Sequence, residues 1–232
     1  MIVSHKRRFI FFHNPKCDGT AFRSAIRQFH DDPVTFWGPQ DVPYFRNRLD
    51  HTHLRLWELA VAHPALFRSA LGDYRSLIFV RNPYRRFLSA VAEHFKKYRC
   101  NVRFETLSHD EQTALVVRFI ERELTIERIT CDWTAIHFSP QIWFILFGDS
   151  LVPRTILPLD TDGSITNEAF DALGLPPIEV SRINASPYDL RHLLSVGRIV
   201  SFIEDFYELD FAFLQSLPRV AALAVRPPSE AQ

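Results

Sequence analysis

Glycine and cysteine are both scarce, with 7 and 3 copies in 232 residues. Cys17, Cys100 and Cys131 are odd in number and lack metal-ligand spacing, which argues against a disulfide framework or a zinc site and points to a reducing compartment. Lysine plus arginine equals aspartate plus glutamate at 27 each, so no overall field draws nucleic acid or an anionic membrane to the chain. No apolar stretch approaches the roughly 18 residues of a membrane span, and the run after Lys6-Arg7-Arg8 is too short for a signal segment. A cytoplasmic protein without membrane insertion is expected. Repeats and low-complexity tracts are absent as well.

Apolar residues, by contrast, are plentiful: 47% of the chain is hydrophobic and 21 residues are phenylalanine. That supports one well-buried domain, expected over residues 1–217, with 218–232 as a disordered tail. Strand-like runs near 9–12, 77–81 and 152–158 alternate with helical stretches near 20–30, 54–70, 84–99, 111–124, 167–173, 188–195 and 198–206. Such alternation implies an α/β fold with a mainly parallel central sheet flanked by helices.

The most informative run is Phe9-Ile10-Phe11-Phe12-His13-Asn14-Pro15-Lys16-Cys17-Asp18-Gly19-Thr20-Ala21-Phe22. An apolar strand enters a tight turn and then a helix whose Ala21, Phe22, Ala25, Ile26 and Phe29 share a face. A loop so placed gathers backbone N–H groups and the positive end of a helix dipole, which suits a phosphate. Lys16 adds a point charge and Thr20 a hydroxyl. The scarcity of glycine matters here, because no Gly-Lys-Ser/Thr loop of the general phosphate-loop NTPase kind occurs. A second strand, Leu77-Ile78-Phe79-Val80, ends in Arg81-Asn82-Pro83, with Pro83 as the expected first residue of the next helix. Arg81 and Ser89 would then serve a second phosphate at the sheet edge where ligands of open α/β sheets bind.

Taken together, these segments resemble the sulfotransferases that use 3′-phosphoadenosine 5′-phosphosulfate (PAPS), in particular the carbohydrate branch. Pro15-Lys16-Cys17-Asp18-Gly19-Thr20 is similar to the family's Pro-Lys-x-x-Gly/Ser-Thr, which binds the 5′-phosphosulfate. Arg81-Asn82-Pro83-Tyr84-Arg85-Arg86-Phe87-Leu88-Ser89 is similar to its Arg-x-Pro-x-x-Arg-x-x-Ser, which binds the 3′-phosphate. His137-Phe138-Ser139-Pro140-Gln141, Asn184-Ala185-Ser186 and Tyr207-Glu208-Leu209-Asp210-Phe211 extend the likeness in the family's order. The resemblance implies a P-loop-like three-layer fold and a PAPS site made by Pro15, Lys16, Cys17, Asp18, Gly19, Thr20, Ala21, Arg81, Ser89, Asn184 and Ser186. It also implies a hydroxylated acceptor such as a glycan near His137 and Gln141, and no metal. Asp18 departs from the family, which has a small or neutral residue there; it is expected to point outward or to cap the helix.

Sulfuryl transfer needs a charge stabiliser for the leaving oxygen, for which Lys16 is placed, and a base for the attacking hydroxyl. Asp50-His51-Thr52-His53 supplies two imidazoles, and the His-x-His of uronyl 2-O-sulfotransferases is similar in type, spacing and place. His53 is the favoured base, with His51 next; His13, Glu93 and His94 are weaker candidates. Arg85, Arg86, Lys96, Lys97 and Arg99 read either as a solvated face or as a groove for an acidic acceptor. Residues 31–50, 100–110 and 125–140 are expected as acceptor-specifying loops. Two competing readings are a kinase using the same cradle, for which Asp160 is the one carboxylate after an apolar strand, and a catalytically silent sulfotransferase-fold binding protein.

Overall fold

The computed structural model describes residues 1–99, 101–159, 167–180 and 189–217, so Cys100, Asp160, Asn184, Ser186 and the tail from 218 lie outside the described residues. Two compact units are distinguished, one comprising residues 1–81 and 141–184 and the other the remainder.

The first unit carries the sheet. Its strands are β1 (Ile2–Ser4), β2 (Phe9–Phe12), β5 (Arg75–Val80) and β8 (Thr155–Pro158), in the order β1-β2-β5-β8. β2 pairs parallel with β5 and β5 with β8, while β1 runs antiparallel at the edge. β2 is buried along its whole length, as is β5 after its first residue. Burial of both faces explains why these runs are continuously apolar rather than alternating. Phe9, Phe11, Leu77 and Phe79 enter one core with Phe22 and Ile26 of helix α1 (Gly19–Ile26) and with Ala169, Phe170 and Leu173 of α7 (Asn167–Leu173). Each fully buried phenylalanine there contributes on the order of 1.5–3 kcal/mol. The stretch read as one helix over 54–70 is two, α2 (Leu56–Ala62) and α3 (Pro64–Leu71), because Pro64 cannot continue a helix but can begin one. Two short antiparallel pairs, β3 (Pro39–Gln40) with β4 (Leu49–Asp50) and β6 (Leu146–Phe147) with β7 (Ser150–Leu151), complete the strands described in this unit.

The second unit is helical in its described residues: α4 (Pro83–Tyr98), α5 (His109–Glu123), α6 (Ile126–Cys131), α8 (Gly197–Phe206) and α9 (Glu208–Ser216). Pro83 opens α4 as expected, and the Asn82 side chain caps it by accepting from Tyr84 N and Arg85 N at 3.0 and 3.4 Å. Residues 125–140, expected as a loop, are instead mostly helical, with α6 followed by a 3-10 turn over Trp133–Phe138. Ile129, Ala135, Ile136 and Phe138 are buried there, which ties the segment down. The stretch expected as a helix near 188–195 is a 3-10 turn over Arg191–Ser195, and α6 and α9 were not foreseen. Among the described residues no helix is long and apolar enough to cross a membrane.

Candidate functional site

The end of β2 and the start of α1 form a cradle whose backbone is left-handed at Lys16 (φ 62°) and Asp18 (φ 47°), but not at Cys17 between them. Non-glycine residues take this conformation at a cost, and alternation of left- and right-handed residues is the backbone habit of anion-binding concavities. Burial alternates through the loop as well: Pro15, Cys17, Gly19 and Ala21 are buried, whereas Lys16, Asp18 and Thr20 are part-exposed. The charged and hydroxyl side chains therefore occupy the accessible positions, while the others anchor the loop.

Gln141 is the bracket that holds this loop to the sheet. Its Oε1 accepts from Arg81 N at 2.9 Å, Asn14 Nδ2 at 3.2 Å and Cys17 Sγ at 3.4 Å, and its Nε2 donates to Arg81 O at 2.8 Å. Asn14, fully buried, also donates to Phe79 O at 2.9 Å. One amide thus joins the loop after β2 to the loop after β5. Read from sequence as an acceptor-facing residue one helical turn from His137, Gln141 is 2% exposed and bonded to the Arg81 main chain and to the Asn14 and Cys17 side chains. The helix that would carry both is interrupted too, since one 3-10 turn ends at Phe138 and another begins at Gln141. His137, in the second unit, is buried.

Arg81 completes the cradle. Its guanidinium donates to Lys16 O at 3.2 Å and stands 3.9 Å from the Asp18 carboxylate. The Asp18 side chain makes no capping hydrogen bond to α1; the left-handed backbone at the cap position turns it toward Arg81 instead. Ser89 is part-exposed on α4 of the second unit.

Gly19 is required by close approach rather than by its φ angle. A Cβ at that position would lie 2.4 Å from His13 Cδ2 and 2.8 Å from His13 Nε2, so the His13 ring lies directly against the first turn of α1. That ring is 4.5 Å, centroid to centroid, from the ring of His53, whose Nδ1 lies 2.8 Å from His13 O. Because a carbonyl only accepts, Nδ1 carries the proton and the imidazole lone pair is on Nε2. Burial draws His53 down to about 4, Asp50 and the His13 bond oppose this, and the N-terminal amine and, least, Lys16 add to the depression. His53 is therefore neutral near pH 7, chiefly because it is buried.

The two histidines of the 51–53 turn have different neighbours. The Asp50 carboxylate accepts from Thr52 N at 2.9 Å and fixes the turn. His51 packs 5.2 Å from His63 and 6.2 Å from Phe36, with Nδ1 3.3 Å from Leu49 O, and burial lowers its pKa. Behind the turn, Arg55 and Glu58 form a buried ion pair at 2.5 Å, and Arg55 lies over the rings of Trp57 and Trp143 at 5.7 and 5.6 Å. The weaker base candidate His94 is enclosed by Phe95, Tyr98, Phe119 and Phe138 and is fully buried. The basic run on α4 separates: Arg86 is buried, Lys96 and Lys97 are exposed, and Arg99 pairs with Glu123.

Asn14 was missed as a residue that holds the cradle, although a polar side chain two positions after a continuous apolar strand was a visible signal. Residues 1–150 match the model described as the sulfotransferase family, and no curated protein or solved structure matches the chain.

Proposed function

From the premise that the chain belongs to the sulfotransferase family, we propose that it moves a sulfuryl group from PAPS to a hydroxyl of a carbohydrate or another hydroxylated acceptor, with His53 as general base. The observation that carries this reading is the junction of His53 with the cradle, through the 2.8 Å bond to His13 O and the 4.5 Å ring contact. A base and a phosphate-type loop are thereby held on one strand end.

PAPS supplies the activated sulfuryl group, and the cradle has the chemistry to hold it: a loop at a helix N-terminus with left-handed backbone at Lys16 and Asp18, the ammonium of Lys16, the hydroxyl of Thr20 and the guanidinium of Arg81. Lys16 places positive charge where the leaving oxygen gains negative charge, an effect worth roughly 3–4 kcal/mol for a preorganised donor. Arg81 serves the 3′-phosphate, its planar fork matching phosphate oxygens. His53 Nε2 takes the proton of the acceptor hydroxyl while the His13 carbonyl holds Nδ1–H in place. Burial is the main cause of the low basicity of His53 and the charge of Lys16 only a minor one, so donor phosphates near Lys16 relieve no more than a small part of it.

The test is isothermal titration with adenosine 3′,5′-bisphosphate beside ADP and ATP, with and without magnesium, followed by turnover with PAPS across an acceptor panel. Lys16→Ala and Arg81→Ala each lose bisphosphate affinity at least tenfold, whereas His53→Ala keeps it and loses turnover a hundredfold or more. Magnesium-dependent binding of ATP in preference to the bisphosphate would replace this reading with a kinase, and wild-type kinetics in Lys16→Ala would remove it.

A further inference from the structure

Asp18 sits in the cradle without the helix-capping bond that an aspartate at that position usually makes, and its carboxylate faces Arg81 at 3.9 Å. The side chains are only 39% and 21% exposed, respectively, so the contact is partly shielded. Arg81 makes a second contact, donating to Lys16 O at 3.2 Å, which holds its guanidinium against the loop. A carboxylate and a phosphate oxygen are interchangeable partners for a guanidinium fork. The side chain of the loop thus meets an arginine that an incoming phosphate would also seek.

We propose that Asp18 is an internal competitor for the 3′-phosphate of the nucleotide at Arg81, and so a determinant of how strongly the protein discriminates 3′-phosphorylated nucleotides and how fast it releases them. This rests on the reading of Arg81 as the 3′-phosphate ligand. A nucleotide bearing a 3′-phosphate must part Asp18 from Arg81 and then tolerate the carboxylate as a near neighbour. One lacking that phosphate leaves the pair intact, gains nothing from Arg81, and meets at its 5′-phosphate a carboxylate whose charge Arg81 still offsets in part. Asp18 therefore weakens the binding of the 3′,5′-bisphosphate product more than it weakens a 5′-monophosphate, and shortens the product's residence.

Asp18→Asn isolates the charge, because asparagine is isosteric and tolerates the left-handed backbone equally well. Titration of the wild-type and D18N proteins with adenosine 3′,5′-bisphosphate and with adenosine 5′-monophosphate reads the effect. D18N should bind the bisphosphate about three- to tenfold more tightly, with the monophosphate changing less than about twofold, as expected for removing a part-exposed ion pair and one like charge. The gain should shrink in high salt, disappear in an Arg81→Ala background, and recur in Asp18→Ser if D18N is unstable. Equal gains for both nucleotides, or none for the bisphosphate, overturn the proposal while the donor-site reading stands. Failure of the wild-type and D18N proteins alike to bind the bisphosphate overturns both.

Discussion

Replacing Gln141 with leucine removes one oxygen that accepts from Arg81 N, Asn14 Nδ2 and Cys17 Sγ, and one amide that donates to Arg81 O. The thiol bond is weak and Arg81 is part-exposed, so the cost is concentrated in Asn14, which is fully buried, and in the Arg81 main chain. Each buried polar group left unsatisfied costs about 1–3 kcal/mol, and partial relaxation of the loop brings the total to about 3 kcal/mol. At this chain length 1 kcal/mol moves the midpoint by about 2–4 °C, so the melting temperature should fall by about 6–12 °C. Differential scanning calorimetry of Gln141→Leu and Gln141→Glu measures it. The glutamate keeps an acceptor oxygen but sets its second oxygen, also an acceptor, against Arg81 O at a buried site, so at pH 7 its loss should be at least as large as the leucine's, and smaller at low pH, where the protonated carboxyl donates to Arg81 O. A fall of less than about 2 °C in the leucine variant would refute the bracket, as would additive effects of Asn14→Ala and Gln141→Ala, since contacting residues normally couple by 0.5 kcal/mol or more.

Gly19→Ala places a methyl 2.4 Å from the His13 ring, which the nearby His53 ring resists; it should cost about 1–3 kcal/mol, and His13→Ala should restore much of the loss in a thermal melt of the double variant. His94 is held neutral down to about 4 against an ordinary value of 6.5, so the unfolded chain binds its proton first and stability is lost as pH falls from about 6.5 toward 4. His94→Phe should remove on the order of 2 kcal/mol of that acid loss, read as the difference between urea midpoints at pH 7 and pH 4.5; an unchanged acid limb would show that other groups carry it.

The local features of the site were legible because they are matters of period and backbone geometry. Four apolar residues ending at His13 read as β2, the helical spacing after Gly19 as α1, and Pro83 as the opening of α4, each from a few consecutive residues. The edge strand Ile2–Ser4 escaped notice because three residues carry too little pattern, and the burial of Arg86 was hidden because charge alone suggests a solvated face.

Sequence by itself thus determined that a lysine-bearing loop joins a buried strand to a helix, that a second such loop ends in Arg81, and that an imidazole pair lies between them in the chain. Tertiary structure alone decided which groups meet. Gln141 binds Asn14 across 127 positions, His53 reaches His13 across 40 and Arg81 reaches Lys16 across 65. Nothing in the local pattern separates His53, joined to the cradle, from His51, packed beside His63, because the two residues differ only in which buried neighbours the folded chain brings to each ring.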